Sequence, residues 1–467
     1  MKKLFTVLCL AAMMITATVS AQKEGNIWYF GSHAGLDFNS GTAVALQNGA
    51  LWCNDNSSTV CDANGQLLFY TNSDTVWNRL HQVMANGTGL LGSTTSGQCG
   101  VIVPQPGTSK YYIFTNAPFL NSTGLNFSVV DMAGDNGFGA VVVKNAQLFP
   151  YTSEKLDAIY NPSDNSYWII THPYESSYFL VYKLNSGGLY ITPVISDSCA
   201  MYGGGNPNGY NAIGQMTISP DGHTIASGVL YSGFIELCDF NMTTGHISNS
   251  RIISDFPNPW GIAFSPDSRM LYADKWWTDS VFQYNIYNPT KSAASFNKVF
   301  VGHATATNSF NYQAGYMQLG PDNKIYIARY QTHYLAVINQ PDNPGLECGF
   351  VNDGIYLGAT MSTAGLSRTP LASPQLGFVA TGRTTGSEIR AYPNPSDGHF
   401  TLICPAEWAG EAIVVEMADM VGKKVALRHF KYVDPKMLSF PGLKPGVYNM
   451  NVLAGNRSAN LKICITR

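Results

Sequence analysis

The sequence predicts an all-β chain, a seven-bladed β-propeller followed by a small C-terminal β-sandwich. Three observations predict it. A strand-like run breaks at a Pro/Asp/Asn/Gly turn and resumes as a second apolar run, six times in full and once truncated. The second runs end near Gly31, Asn72, Asn116, His172, Gly228, Asp274 and Arg329, a period of 41 to 56 residues that suits four short strands per unit. Charged residues make up only 12% while aromatics reach 12% and glycines 45, a balance for short strands and tight turns. It excludes a helical bundle and a disordered chain.

The chain opens with Met1-Lys2-Lys3, an apolar stretch from Leu4 to Val19, and the small residues Ser20 and Ala21. A basic start, an apolar core and small residues before the cut predict a secretory signal over residues 1–21. No later segment reaches the length of a membrane-spanning helix, so the mature chain is expected to be soluble.

The propeller is assigned to residues 22–376. Its first, truncated copy is Ile27-Trp28-Tyr29-Phe30, followed by Leu36-Asp37-Phe38. The full copies carry their turns at Asp62-Ala63-Asn64-Gly65, Pro104-Gln105-Pro106-Gly107, Asn161-Pro162-Ser163-Asp164, Ser219-Pro220-Asp221-Gly222, Ser265-Pro266-Asp267 and Gly320-Pro321-Asp322-Asn323. Proline presets φ, and Asp or Asn bonds the turn backbone, so these turns are structural, as in WD-repeat or PD-repeat proteins. A second hairpin follows in each unit, for example Phe179 to Gly188 or Ile235 to Gly245. Each blade therefore reads as strand A, a Pro-Asp turn, strand B, a loop, strand C, a second tight turn and strand D. The first copy lacks strand A, and the stretch around Gly365 to Leu376 is expected to supply it, so that both ends of the propeller share one blade and no edge is left open.

Thr, Gly and Ser dominate residues 377–388, which read as a linker. From 389 to 467 a turn at Tyr392-Pro393-Asn394-Pro395 is followed by strand-like runs at His399 to Cys404, Ala412 to Met417 and Gly446 to Val452. Loss of Cys9 with the signal leaves eight cysteines, an even number that permits disulfides. Cys53 with Cys61, separated by a short loop, and Cys404 with Cys464, which share the small C-terminal domain, are the pairs suggested. No CxxC spacing suggests zinc. A net charge of −3 gives no electrostatic footprint for nucleic acid.

The tail resembles the C-terminal sorting domain, type A-like, of the type IX secretion system of Bacteroidetes. The matching residues are Tyr392, Pro393, Asn394 and Pro395, Gly398 with Phe400-Thr401, Asp419 with Gly422-Lys423, Pro445-Gly446-Val447-Tyr448, and Lys462. The resemblance implies export to the outer surface or medium, with the secretion machinery and its sortase as partners and removal of the tail. Residues 26 to 376 also resemble a group of large secreted Bacteroidetes proteins, through Trp28-Tyr29-Phe30-Gly31, Gly35-Leu36-Asp37-Phe38, Val76-Trp77-Asn78 with His81, and Tyr111 to Thr115. That likeness implies fold and location only.

With this strand order the B–C and D–A connections share one face of the ring. His33, His81, His172 and His333 fall in or beside B–C loops, His303 in a D–A loop, and His223 and His246 on the opposite face. Binding residues concentrate on loops held by a rigid scaffold. The candidates on the first face are Trp77, His81, His172, Trp276, Trp277, Arg329 and Tyr330. Trp276-Trp277 can stack on a sugar ring or plug the channel, and Arg329 can meet an anion or form a structural ion pair. No GxSxG, HExxH, P-loop or dinucleotide fingerprint occurs, and neither a metal nor a cofactor is called for. Two readings remain: a secreted or cell-surface binding module for a glycan or protein, and a propeller-fold lyase or hydrolase acting on polysaccharide or lactone.

Overall fold

The computed structural model describes residues 23–116, 123–197, 199–204, 209–276, 278–286, 296–305, 314–370 and, with short gaps, 389–465. The signal, the linker and residues 371–376 lie outside the described residues.

Between Ile27 and Arg368 the strands form seven small sheets. Blades 3 to 7 are antiparallel meanders of four strands. Their innermost strands are Gly100–Pro104, Thr152–Asn161, Met216–Ile218, Pro259–Phe264 and Ala314–Leu319. Blade 1 has three strands, beginning with Ile27–Phe30, and blade 2 is built on Ser57–Cys61. An apolar cluster fills each junction between neighbouring blades. Val60 and Phe69 meet Ile102 and Ile113 between blades 2 and 3, and Ile159 and Trp168 meet Ile218 and Cys238 between blades 4 and 5. Trp28, Phe30 and Leu36 of blade 1 meet Tyr326, Leu335 and Val337 of blade 7, so the ring is closed. Each blade is apolar on both faces because both are covered, and this burial is the main stabilising force.

The Ser-Pro-Asp turns act as their composition predicts. Ser219 Oγ donates to Asp221 Oδ1 (2.5 Å) and accepts the Thr224 amide (2.9 Å); Ser265, Asp267 and Met270 repeat the pattern at 2.6 and 2.9 Å. The same turns tie blade to blade, for the Asp267 amide donates to Asp342 Oδ1 at 3.0 Å.

The closing segment departs from expectation. Ser367–Arg368 does not share a blade with Ile27–Phe30. It pairs in parallel with Ser57–Ser58 on the axial edge of blade 2. The physical reason lies in the edge of the first strand. The Tyr29 amide donates to Thr59 Oγ1 (3.0 Å) and the Tyr29 carbonyl accepts from Ser57 Oγ (2.6 Å). Hydroxyls of blade 2 thus satisfy the edge that a strand A would have paired, and the free ladder belongs to Ser57–Cys61.

Residues 361–369 consequently run down the ring axis against several blades. The Ser362 amide donates to Thr332 O, the Tyr316 amide to Ala364 O (both 2.8 Å) and the Leu366 amide to Asn56 Oδ1 (2.9 Å). Near the turn-side end Arg368 pairs with Asp157 at 2.6 Å and donates to Leu156 O at 2.5 Å, with both charged groups buried. Glycines make room for this segment. A Cβ on Gly315 would lie 2.3 Å from Ala364 O, and one on Gly31, whose φ is +60°, would lie 2.4 Å from Met361 O.

Two buried glutamines stitch the inner strands together around the axis. Gln98 bridges Leu156 O and both main-chain groups of Met216, and Gln215 bridges Met317 O and the amides of Ile262 and Met317. Side-chain amides do here what a ladder cannot, because inner strands of adjacent blades splay apart.

The tail holds two further sheets, of three and four strands, around Phe400, Leu402, Val415, Met450 and Ile463. Asn394 clamps the last strand: its Nδ2 donates to Lys462 O (2.6 Å) and its Oδ1 accepts the Cys464 amide (2.7 Å). Tyr448 is buried with its hydroxyl on Lys444 O (2.8 Å), Gly446 begins the same strand, and Lys462 is exposed. Tyr392 lies on the first strand of the tail; Pro393, Pro395, Gly398 and Gly422 fall outside the described residues.

Arg368→Met leaves the Asp157 carboxylate buried without its counter-ion, and is expected to cost about 3–5 kcal/mol in denaturant unfolding. Combining it with Asp157→Asn, which keeps an acceptor for the Ala158 amide, should recover most of that loss. Equal stability of Arg368→Met and wild type would show that the axial ion pair does not hold the ring.

Candidate functional site

The loop face carries a cleft of about 440 Å³ over blade 4. Three connections wall it: Phe149 and Tyr151, leading into the blade; Pro173 to Tyr178, its B–C loop; and Met201, leading out. Main-chain bonds hold the loops together. The Tyr174 amide donates to Tyr151 O, the Glu175 amide to Tyr202 O and the Tyr202 amide to Ser176 O, at 3.2 to 3.3 Å. Glu175 sits at φ +53°, a left-handed conformation that costs a non-glycine residue about 1 kcal/mol or more and is retained where surroundings impose it. Gly203 is pressed against it, since a Cβ there would lie 2.9 Å from Glu175 Cα. Tyr151 and Met201 are 61% and 62% exposed, while Phe149, Tyr174 and Tyr178 are half-buried. The cleft thus offers aromatic faces, phenol hydroxyls and a single carboxylate, Glu175, among its lining residues.

Directly beneath lies a buried polar set. His172 stacks on Tyr202 with ring centres 3.8 Å apart. Its Nδ1 lies 2.8 Å from Pro173 O and its Nε2 3.3 Å from Cys199 Sγ, and burial drives the imidazole down to about 3, so it is neutral. Tyr202 donates to Glu236, which also accepts the Ala200 amide (2.7 Å) and the Ser250 hydroxyl. Lys155 donates to the carbonyls of Gly214 and Gly228, and its burial lowers it to about 7. With no exposed surface and both ring nitrogens occupied, His172 props the cleft floor.

The other candidates fall into separate groups. Trp276 stacks on Trp260 (4.8 Å), which packs on Tyr316 (5.1 Å), in a cluster that also holds Ile213 and Leu230. Trp277 lies outside the described residues. Trp77 stacks on Tyr70 at 5.6 Å and Tyr70 on Tyr29 at 4.6 Å. His81 joins them through Tyr70 Oη and Asn48 Nδ2, both at 2.9 Å, and desolvation lowers its pKa. Arg329 is buried and braced by Asp353 (2.5 Å) and the carbonyls of Asn352 and Thr305, the structural ion pair of the two options open in sequence. Tyr330 follows it, half-buried and engaged.

The histidines of the loop face do not converge. His33 reaches Gly49 O, His333 Thr360 O, and His303 Asp279, each a different neighbour. Among the described residues no three His, Cys, Asp or Glu side chains gather in a metal-ligating arrangement. Sequence reasoning missed the tyrosine cleft. Its signal was legible, because Tyr151, Tyr174 and Tyr178 all fall in connections of one face, but histidines and paired tryptophans drew the choice elsewhere.

Comparison with known proteins defines the class. Residues 390–466 match the secretion system C-terminal sorting domain. The chain is therefore a β-propeller protein bearing a type IX sorting tail, exported to the cell surface or extracellular space and engaging that secretion machinery. No curated protein matches it. Similar solved structures include a putative 6-phosphogluconolactonase from Bacteroides fragilis (12% identity, TM-score 0.41, covering 82% of this chain and 97% of that one). The periplasmic gluconolactonase of Pseudomonas aeruginosa is another (12%, 0.38, 80% and 94%), and the Dos1 propeller a third (9%, 0.43, 83% and 91%). At such identities and scores the likeness does not extend to activity.

The neutral imidazole sets a pH dependence. Below about 6.5 the unfolded chain binds a proton at His172 that the folded chain refuses until about 3, so stability falls as the pH drops through that window. Asp55, raised by burial to about 7, works in the opposite sense but is common to wild type and variant. His172→Phe should therefore lose less stability than wild type between pH 7 and pH 4.5, measured by denaturant unfolding. Parallel pH profiles would contradict a buried neutral histidine.

Proposed function

We propose that this exported propeller is a glycan-binding module of the cell surface or surrounding medium, taking its ligand in the tyrosine-lined cleft over blade 4. The observation that carries this reading is the cleft itself: exposed and half-buried aromatic faces, with phenol hydroxyls and one carboxylate, in a concavity of about 440 Å³. A pyranose ring has an apolar C–H face and a hydroxyl rim, and it is matched by aromatic faces beside polar groups. A hydrolytic or eliminating site needs an acid and a base, or a nucleophile with its activator, within reach of one bond. Among the described residues lining the cleft Glu175 is the one acidic side chain, and the perturbed groups below it are spent on one another. These facts favour binding over the lyase or hydrolase reading.

The domain plan that accompanies this reading is a leader over residues 1–21, a propeller over 22–376, a linker over 377–388 and a sorting tail over 389–467, with the leader feeding the periplasm and a sortase cutting in the linker. The source is a Bacteroidetes cell.

Tyr151→Ala and Tyr174→Ala are expected to weaken capture on a glycan array about 10-fold or more each, at unchanged circular dichroism, because stacked rings supply much of the contact area. Exchange of His223 and His246, on the opposite face, should leave capture intact. Undiminished binding by the double tyrosine variant would move the site elsewhere, and capture of proteins alone would replace the glycan. Removal of residues 389–467 should hold the chain in the periplasm of a type IX-competent host. Secretion of the truncated chain at the wild-type level would remove the tail from the export route.

A further inference from the structure

Eight cysteines are present among the described residues, and the neighbour of Cys53 is not the one that its short loop to Cys61 suggests. Cys61 lies at the turn-side end of the inner strand of blade 2, its amide on Glu24 O. Cys53 lies before the loop-side start of that strand, so the strand's length separates the two. Cys404 is buried in the core of the tail, and Cys464 lies half-buried on its last strand.

Cys53 instead meets Cys99, which immediately precedes the inner strand of blade 3. The two sulfurs converge on a single atom: Cys53 Sγ lies 3.0 Å and Cys99 Sγ 2.6 Å from the carbonyl oxygen of Asn56. Both side chains are fully buried. They sit where the backbone is already firmly placed, for Asn56 Nδ2 donates to Gly97 O, the Cys53 amide to Gly31 O (2.9 Å), and Thr363 Oγ1 to Cys53 O (2.7 Å). Two sulfurs bonded to one oxygen are near neighbours, and a disulfide requires them to turn from that oxygen toward each other.

We infer that Cys53 and Cys99 form a disulfide in the exported protein, stapling blade 2 to blade 3 at the loop-side end of the channel. The two side chains supply the sulfurs, and the route of export supplies the conditions, because the compartment beyond the inner membrane is oxidising. The thiols lose two protons and two electrons as the S–S bond forms. A disulfide oxidant of the envelope accepts them and is reduced to its dithiol through a mixed-disulfide intermediate. Burial makes the finished bond inaccessible to reductant while the ring is intact, so oxidation precedes or accompanies closure of the blades. The crosslink would span residues 53 to 99, joining two blades that otherwise share only side-chain packing and isolated hydrogen bonds.

The test is non-reducing peptide mapping of the full chain, expressed with its leader into a bacterial periplasm and alkylated under denaturing conditions without reductant. The expected result is a linked peptide pair containing Cys53 and Cys99, retained in a Cys61→Ser variant. Alkylation of both thiols, or a Cys53–Cys61 pair, overturns the inference. In parallel, Cys53→Ser/Cys99→Ser is expected to melt about 5 °C or more below the untreated wild type. If that variant does not fold, the peptide map of the wild type decides alone.

Discussion

Everything in the ring is organised around a stretch of chain that runs through its middle. Residues 361–369 descend the axis, taking hydrogen bonds from blades 2 and 7 and ending on the buried Arg368–Asp157 pair of blade 4. A propeller whose blades are joined only by apolar side chains can breathe at every junction. A peptide bonded to several of them at once converts those junctions into one cooperative unit. The arrangement is costly, since two charges are taken out of water, and it repays that cost only while both partners are in place. It also fills much of the central channel with backbone and side chains of the chain itself.

The same constraint explains what could be read from the sequence and what could not. The repeated turns were legible because Ser, Pro and Asp at fixed offsets have local reasons to be there, and the hydroxyl and carboxylate bonds at Ser219–Asp221 and Ser265–Asp267 are those reasons. The order of strands within each unit followed from their spacing. The closing strand was not legible, because its partner is chosen by a competition at the edge of Ile27–Phe30. Thr59 and Ser57, on the next blade, cap Tyr29 with their hydroxyls, and nothing within the first copy announces this. Likewise the neighbour of Cys53 is set by the juxtaposition of two blades, which local spacing does not encode.

For the candidate site the limit was of a different kind. His81, His172 and Arg329 look like chemistry in one dimension, being polar residues at the ends of apolar runs. In three dimensions each is consumed: His81 by Tyr70 and Asn48, His172 by Pro173 O and Cys199, Arg329 by Asp353. Such groups satisfy the polar atoms that bends at the ends of strands would otherwise leave buried without partners. A tyrosine at a loop tip has no such duty, and what remains exposed after the fold has met its own needs is the better guide to what meets a ligand.

The cleft over blade 4 follows from this division of labour. Its floor is rigid because His172, Tyr202 and Glu236 are locked beneath it, and its walls are joined by main-chain bonds between three separate connections. A surface prepared in this way loses little conformational freedom when a ligand arrives, so modest contact area can yield useful affinity. Glu175 is the exception, held in a left-handed conformation at the rim by Gly203 and the surrounding loop bonds. On the proposed reading, that strained carboxylate orients a hydroxyl-rich ligand by selecting which hydroxyls face it, while the rings supply contact.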